Sequence, residues 1–504
     1  MHETNQADLK SRTASSFAWA SAGTGGQVLS QVLALAILAR LLTPTEFGVV
    51  SAATIIVQLS LILNEFGIGP AVVQRQSMSQ IDIRVGFTLS CLFGSFVVFV
   101  LWILAPTLAA MFEISELTWV IRAYAVIFIF KSYSAVADAL LQRELAFRLL
   151  ARADTISFAV GYAGVGILSA YVGLTYWSLV LGHLSQSVIK AGLTLRYKNH
   201  DKTPSFEIGT VKEFLHFGLG QTASRLGSYV ANQGDSFVVA KVLGVERLGE
   251  YGRANQLVVM PGNQLGGVFD KVLFPTFSLV QEDKARFGEA YRKALSLIAM
   301  IGLPVSAFLF VVAPNITSVM LGDRWGNVIE PMRILSLCLL FRLLHKISDP
   351  TARATGAVYQ RAWRQGFVAA TLVAGSYIGS SQGLVGVAWG VLAATVLDAG
   401  LMVQLCSKIA GITSWTVLQA LSPGLRLGII SYFLAFSVQS TASQFLESHV
   451  GILILTIIAL MAGLSLVIYM MPRLSMGKDG VTVVGYTWAL LHLEKRLGLR
   501  PPMA

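Results

Sequence analysis

Charged side chains are scarce in this chain of 504 residues, since Asp, Glu, Lys and Arg together make up only 13% of it. A soluble domain carries roughly 25% of these residues, so the shortage argues against an ordinary water-soluble protein. Hydrophobic residues reach 54%, and the mean hydropathy is +0.65. The composition therefore indicates a membrane protein.

Cysteine is nearly as scarce. Cys91, Cys338 and Cys406 are far apart, and each lies in an apolar run. This spacing argues against a disulfide framework and against a cysteine metal site, and it is typical of buried thiols.

Enzyme motifs are missing as well. Gly477 and Lys478 form the single Gly-Lys pair, without the other residues of a phosphate-binding loop, and no His-Glu-x-x-His occurs. Residues 379–383 match the Gly-x-Ser-x-Gly pattern of hydrolases, but no strand precedes them. We therefore predict that the protein is not an enzyme and holds neither a metal nor a cofactor.

Apolar runs of about 20 residues, enough to cross a bilayer core of ~30 Å, recur along the chain. They predict an all-α, polytopic membrane protein of about 14 transmembrane helices, with breaks at residues such as Pro106 and Pro314. The predicted segments 1 to 14 cover residues 15–39, 47–69, 85–105, 117–139, 155–172, 175–195, 214–240, 248–274, 294–314, 330–349, 364–380, 384–407, 424–440 and 450–471.

The basic residues of the predicted loops are very unevenly distributed. If the N-terminus is cytoplasmic, most of them fall in inside loops, as the positive-inside rule requires. This rule explains the net charge of +11 better than nucleic-acid binding does, and it predicts that both termini are cytoplasmic. The few basic residues in outside loops are Arg40, Lys241, Arg247, Arg324 and Arg333.

Two stretches of the sequence repeat each other at an offset of 201 residues. Residues 39–42 and 47–48 read Ala-Arg-Leu-Leu and Phe-Gly, and residues 240–243 and 248–249 read Ala-Lys-Val-Leu and Leu-Gly. Polar residues mark segments 1, 2, 4 and 6, and again segments 7, 8, 10 and 12. The pattern predicts two six-helix lobes in a pseudo-two-fold repeat, plus segments 13 and 14.

The predicted domains follow from this repeat. Residues 1–195 form an N-lobe, 196–213 a cytoplasmic linker and 214–407 a C-lobe, while 408–472 hold segments 13 and 14. Residues 473–504 form a cytoplasmic tail. Within it, residues 485–497 mix apolar and charged side chains, which favours an amphipathic helix on the inner face and leaves a soluble docking tail as the alternative.

A polar stripe on segment 7 is the first candidate for a binding surface. Its members stay within about 40° of one line at 100° per residue, so they face water or protein rather than lipid. The stripe consists of Gln221, Arg225, Ser228, Asn232 and Asp235.

Further basic residues lie inside predicted spans. A charge at the bilayer centre costs on the order of 2.5–3.5 kcal/mol, so most of them should face a hydrated cavity. A cationic cavity selects an anion, and arginine and lysine suit phosphate. Besides Arg225, the predicted cavity residues are Lys131, Arg253, Lys271, Arg342 and Lys346.

Several charges have a simpler structural explanation. Arg253 and Lys271 lie near helix ends, where they can reach the interface. Asp235 and Asp398, like Glu65, either bind a coupling cation, H+ or Na+, or pair with basic residues. The alternative ion pairs are Arg225 with Asp235 and Lys131 with Asp138. Arg122 lies about 180° from Lys131 on segment 4 and cannot face the same cavity.

Five short motifs resemble the polysaccharide transporter family, the lipid-linked oligosaccharide flippases of the multidrug/oligosaccharidyl-lipid/polysaccharide exporter superfamily. They are residues 39–48 (ARLLTPTEFG), 64–69 (NEFGIG) with 73–75 (VQR), 139–144 (ALLQRE), 249–256 (GEYGRANQ) and 272–275 (VLFP). The resemblance implies two six-helix lobes around a cationic cavity, and alternating access in a bacterial inner membrane.

The resemblance also implies the substrate, an undecaprenyl-diphosphate-linked oligosaccharide that crosses from the inner to the outer leaflet for exopolysaccharide, capsule or O-antigen synthesis. The expected partners are this substrate, membrane lipid, a polysaccharide polymerase and a chain-length regulator, with no nucleic acid. The polar stripes, rather than the resemblance, supply the site residues: Arg225, Lys131, Arg342 and Lys346 would attract the diphosphate, and Gln221, Asn232, Gln256 and Gln264 would hydrogen-bond the sugars.

Two other functions remain open. A cation-coupled drug antiporter of the same superfamily should have twelve spans and an acidic cavity. A membrane polysaccharide polymerase or ligase should carry a large periplasmic loop with catalytic Arg or His, whereas the longest predicted outside loop, 315–329, is short.

Overall fold

A computed structural model describes residues 28, 30–75, 77–280, 283–355 and 357–470, and these residues fold entirely into helices and short connections. Contacts between them divide the chain into two compact units. The first unit comprises residues 1–252 and 320–324, and the second comprises residues 253–319 and 325–504.

The first unit contains helices α1 to α9 and the start of α10. Their bounds are α1 Ser30–Leu41, α2 Pro44–Glu65, α3 Ile68–Gln74, α4 Gln80–Phe112, α5 Leu117–Arg143, α6 Phe147–Ile156, α7 Gly166–Tyr171, α8 Trp177–Tyr197, α9 Ile208–Val238 and α10 Val245–Val280. A π-helix, Ser157–Val165, joins α6 to α7, and a second one, Val239–Leu243, extends α9.

The second unit contains the rest of α10 and the helices that follow it. These are α11 Lys284–Met320, α12 Ile329–Ala354, α13 Val358–Gly379, α14 Gly383–Ala410, α15 Ser414–Phe445 and α16 His449–Met470. Short 3-10 helices precede α12 and α14.

Local chemistry sets several helix starts. The hydroxyl of Thr43 accepts from the backbone N–H of Glu46, whose carboxylate accepts from the backbone N–H of Thr43, and Pro44 occupies the first helical position of α2. Ser79 and Asp82 form the same reciprocal cap on α4. Each cap satisfies backbone donors that the first turn leaves unpaired.

The helices follow the predicted segments in order, with three corrections. Pro106 and Pro314 were predicted to end helices, but they lie inside α4 and α11, because a membrane helix tolerates proline where neighbours satisfy the freed backbone group. Segment 2 was predicted to run to residue 69, but α2 ends at Glu65 because Phe66 and Gly67 adopt the left-handed conformation. Residues 15–27 and the predicted tail helix lie outside the described residues.

Eight helical segments of the described chain are long and apolar enough to cross a membrane. The long helices that fail this test, α8, α9, α10 and α12, all belong to the predicted segments that carry polar residues, although other polar segments such as α2 and α5 pass it. The chain is therefore a multi-pass, all-α membrane protein, and the count of 14 crossings stays a prediction.

The two copies of the repeated turn pack against each other inside the first unit. A Cβ added to Gly48 would lie 1.8 Å from the carbonyl oxygen of Val245, and one added to Gly249 would lie 1.9 Å from that of Pro44. Residues 44 and 48 correspond to 245 and 249 at the offset of 201. The contact is thus reciprocal, as a two-fold relation between duplicated halves requires.

The compact units do not divide at the predicted linker. Phe214, near the start of α9, lies in the same buried cluster as Ile68, Val85 and Val136 of the first unit. Packing therefore places α9 with the helices before it. Packing and repeats are different criteria, so the predicted lobe boundaries stay a prediction.

Candidate functional site

Arg225 of α9 forms an ion pair with Glu65, the last residue of α2. The two side chains keep 36% and 41% of their surface exposed, so a ligand can reach the pair. Gly218 makes this approach possible, since a Cβ there would lie 2.3 Å from the carbonyl oxygen of Phe66. The pair therefore occupies an accessible polar position between two helices.

Other polar contacts continue along the same two helices. The amide of Gln233 donates to Gln58 at 3.0 Å, and the hydroxyl of Tyr229 donates to the backbone carbonyl of Ile55. Sequence reasoning missed Tyr229 and Gln233 as partners of α2. Their positions four and eight residues after Arg225 were the available signal, because residues at i, i+4 and i+8 share one helix face.

Asp235 does not pair with Arg225, as one alternative required. It accepts from the hydroxyl of Tyr251 at 2.5 Å and from the backbone N–H of Ser236 at 2.7 Å, and it is buried. Its carboxylate therefore joins the end of α9 to the start of α10. This position gives it a structural contact and no contact with the accessible pair.

The rest of the predicted stripe is dispersed. Asn232 is exposed and donates to the carbonyl of Ser228 on its own helix at 2.7 Å. The side chain of Gln221 lies outside the described residues. Arg225 meets a charged partner on a neighbouring helix.

Lys131 of α5 lies within electrostatic range of Glu65, Asp138 and Lys190. Its side chain is exposed, and two of these charges, Glu65 and Lys190, lie on neighbouring helices, as expected in a hydrated cavity. Lys190 of α8 pairs with Asp154 of α6 at 2.5 Å. Asp154 was missed by sequence reasoning because it was placed outside the predicted segments.

The charges of this polar cluster balance. Each basic side chain has at least one carboxylate within electrostatic range. The predicted basic excess is therefore absent from this cluster among the described residues. Its members are Arg225, Lys131, Lys190, Glu65, Asp138 and Asp154.

In the second unit, two predicted cations of α12 face α10. Both terminal nitrogens of Arg342 donate to the side-chain oxygen of Asn255 at 3.2 Å. Lys346 lies along Gly266, where an added Cβ would be 2.1 Å from the lysine Cδ. The absence of a side chain at Gly266 therefore leaves the space that Lys346 fills.

Asp398 of α14 contacts a histidine rather than an arginine. Its carboxylate lies 2.8 Å from Nδ1 of His345 on α12. Asp349, one turn further along α12, pairs with Arg361 of α13. Both acids thus hold helices of the second unit together, and no cluster of three metal-ligating side chains occurs in the described parts of the chain.

The two remaining predicted cations lie on α10. Arg253 is half-buried, and the side chain of Lys271 lies outside the described residues.

The linker before α9 is fixed to α4. Asp201 pairs with Arg84 at 2.5 Å and accepts from the backbone and hydroxyl of Thr203, and these hydrogen bonds lower its carboxyl pKa to about 2. The backbone N–H of Ser205 donates to the hydroxyl of Thr88 at 3.0 Å. These contacts set where α9, and with it Arg225, enters the first unit.

Known structures share this fold. Lipid II flippase MurJ in an inward closed conformation superposes with a TM-score of 0.72 at 13% sequence identity, covering 90% of this chain and 99% of that one. The identity is low enough that the likeness concerns the fold alone.

Similar sequences have names drawn from polysaccharide synthesis. The lipopolysaccharide biosynthesis protein WzxC of Escherichia coli K12 is 24% identical over 344 residues, covering 68% of this chain and 69% of the relative. The succinoglycan biosynthesis transport protein ExoT of Rhizobium meliloti is 24% identical over 319 residues, covering 63% and 64%. A family described as polysaccharide biosynthesis protein matches residues 37–330. Since this match covers more than half of the chain, the protein belongs to the polysaccharide biosynthesis protein family.

Proposed function

We propose that this protein is a flippase that moves a diphosphate-linked lipid oligosaccharide from the inner to the outer leaflet of a bacterial cytoplasmic membrane. Family membership, the MurJ-like fold and the relatives named for polysaccharide synthesis and transport support this function. The single observation that carries the site is the accessible Arg225–Glu65 pair beside Lys131.

The diphosphate binds by exchange. Arginine presents a planar fork of donors that matches two phosphate oxygens, so a diphosphate competes with the Glu65 carboxylate for Arg225. Lys131 adds a second cation within reach of the same carboxylate. The polar side chains of α2 and α9 then contact the sugars, while the lipid tail stays in the bilayer.

The first test replaces Arg225 with glutamine in a strain whose polymer export depends on this protein. Export should stop, and lipid-linked repeat units should accumulate on the inner leaflet. Arg286→Gln is the matched control, because Arg286 is exposed and its ion-pair partner, Asp283, is only three residues away in the chain, so the pair joins no two helices. Normal export by an inserted Arg225→Gln variant would remove this residue from the mechanism.

A charge exchange separates substrate binding from a purely structural ion pair. Glu65→Arg combined with Arg225→Glu keeps the pair but moves the cation from α9 to α2. If the pair only holds the helices together, the double variant should recover the export that Arg225→Glu loses. If Arg225 binds the diphosphate, the double variant should insert normally and still fail to export.

We also propose that both termini are cytoplasmic. The positive-inside distribution supports this orientation. A cysteine introduced at Arg324 should then react with a membrane-impermeant maleimide in intact cells, and one at Arg286 should react only after permeabilisation. The reverse pattern would invert the topology.

A further inference from the structure

Arg122 is a charged residue of α5 that the proposed transport site does not use. It follows Leu117, the first residue of α5, by five residues, which places it roughly 7–8 Å along the helix. Lys131 lies nine residues later, about 180° around the helix. Arg122 therefore faces away from the polar cluster of the first unit.

Two tryptophans flank the guanidinium group. Its Cζ atom lies 5.0 Å from the ring centroid of Trp119 on α5 and 5.9 Å from that of Trp102 on α4. Its Nε donates to the backbone carbonyl of Trp102 at 3.4 Å. Cation–π contacts at these distances hold the guanidinium in place without neutralising its charge.

The surface around these three residues faces outward. Trp119 is 60% exposed and Trp102 is 44% exposed, and the neighbouring Phe99 and Ile103 are exposed too. Both α4 and α5 are apolar enough to span a membrane. This exposed apolar surface is suited to lipid contact, and tryptophans gather at the level of the headgroups.

No carboxylate of the described residues forms an ion pair with Arg122. Its contacts are the two indole rings and one backbone carbonyl. The nearby Glu113 pairs with Lys241, and Glu116 accepts from Ser115. A guanidinium at the headgroup level with terminal nitrogens left to donate is suited to a phosphate.

We propose that Arg122, with Trp102 and Trp119 as its walls, binds the headgroup phosphate of an anionic phospholipid. The lipid lies in the leaflet next to the hairpin between α4 and α5, which is the outer leaflet in the proposed topology. Its acyl chains cover the exposed face of Phe99 and Ile103. The site is separate from the transport site and does not depend on the proposed substrate.

Native mass spectrometry of the purified full-length chain tests the site with phosphatidylglycerol as the probe. The apparent affinity for the first bound lipid should fall roughly ten-fold in Arg122→Gln, the size expected for one charge-assisted contact. Arg122→Lys keeps the charge but loses the planar fork, so its affinity should be intermediate. Affinity equal to wild type in Arg122→Gln would overturn the proposal.

Arg324→Gln is the matched control, because it removes one exposed arginine on the same predicted side, and the adjacent tryptophan, Trp325, is fully buried. It should leave the affinity unchanged, and an equal loss would mean that only net charge matters. A polyprenyl diphosphate that displaced phosphatidylglycerol from wild type but not from Arg122→Gln would overturn the assignment, since the site would then be a substrate subsite. A change in oligomeric state of Arg122→Gln, without loss of lipid, would instead assign the surface to a second copy of the chain.

Discussion

Replacing Gly48 with alanine places a methyl group at the contact between the two repeated turns. The added Cβ would lie 1.8 Å from the carbonyl oxygen of Val245 and 2.7 Å from its carbonyl carbon. These neighbours are backbone atoms, which cannot rotate away. The starts of α2 and α10 must therefore move apart by about 1.2 Å to bring the closest contact to 3.0 Å.

The expected cost follows from overpacking. Forced insertion of a methyl group into a packed contact typically lowers the free energy of unfolding by ~1–3 kcal/mol. The higher helix propensity of alanine offsets up to ~1 kcal/mol of this loss. Gly249→Ala should cost about as much, because its Cβ would lie 1.9 Å from the carbonyl oxygen of Pro44. The double variant should cost less than the sum, since one separation of the helices accommodates both methyl groups.

Thermal unfolding of purified variants in one detergent measures these differences, and export in cells measures their effect on function. Gly252→Ala is the control on α10, because its Cβ would lie 3.5 Å from the hydroxyl of Ser51, an ordinary contact. This control should be as stable as wild type or slightly more stable. Unchanged stability in Gly48→Ala, or strictly additive losses in the double variant, would refute the reciprocal close contact.

Three further predictions concern charged residues. Glu65→Gln should lower the apparent Kd of a polyprenyl diphosphate for the purified protein, because Arg225 loses a competing carboxylate; an unchanged Kd would place the pair outside the binding site. Asp201→Asn should make the linker sensitive to trypsin at pH 7. In the wild-type protein the Asp201–Arg84 ion pair should persist at and above pH 4 and weaken as the pH falls towards about 2, because the carboxyl pKa of Asp201 is lowered from 3.8 to about 2. Equal tryptic cleavage of the wild-type and Asp201→Asn proteins at pH 7 would contradict the role of Asp201 in fixing the linker. Asp398→Leu should cost ~1–3 kcal/mol by leaving His345 without its acceptor, whereas Asp398→Asn should keep Tm near wild type; a stable Asp398→Asn variant that cannot export would assign the carboxylate to ion coupling.

The fold could be predicted largely because membrane helices carry strong local signals. Apolar runs and loop charges located the helices in order, since lipid penalises both unsatisfied backbone and buried charge. Breaks were harder to predict. A proline such as Pro106 is a typical signal for the end of a helix, but α4 continues through it. The left-handed turn at Phe66 depends on how α2, α3 and α9 pack, which no local pattern reveals.

The candidate site was predicted less completely. Periodicity identified Arg225 and Lys131 as residues that should avoid lipid, but it could not say which partner each one meets. Arg225 and Asp235 lie ten residues apart on one helix, and the sequence left open whether they pair. In the structure each one turns to a different neighbour, Glu65 for Arg225 and Tyr251 for Asp235. Such partners are set by packing between helices, which joins residues 160 positions apart for Arg225 and Glu65 and 16 positions apart for Asp235 and Tyr251.

The balance of charge in the polar cluster changes how substrate selection should work. A cavity of unpaired cations would bind a diphosphate tightly, but every unpaired cation inside the membrane carries a desolvation cost when the cavity is empty. Glu65 reduces that cost by pairing with Arg225 in the empty state. Under the proposed function, the free energy of binding is then the difference between pairing Arg225 with the diphosphate and pairing it with Glu65. Binding can therefore be selective for a doubly charged headgroup and still weak enough for release. A singly charged lipid phosphate gains too little over Glu65 to displace it, which would exclude ordinary phospholipids from the transport site.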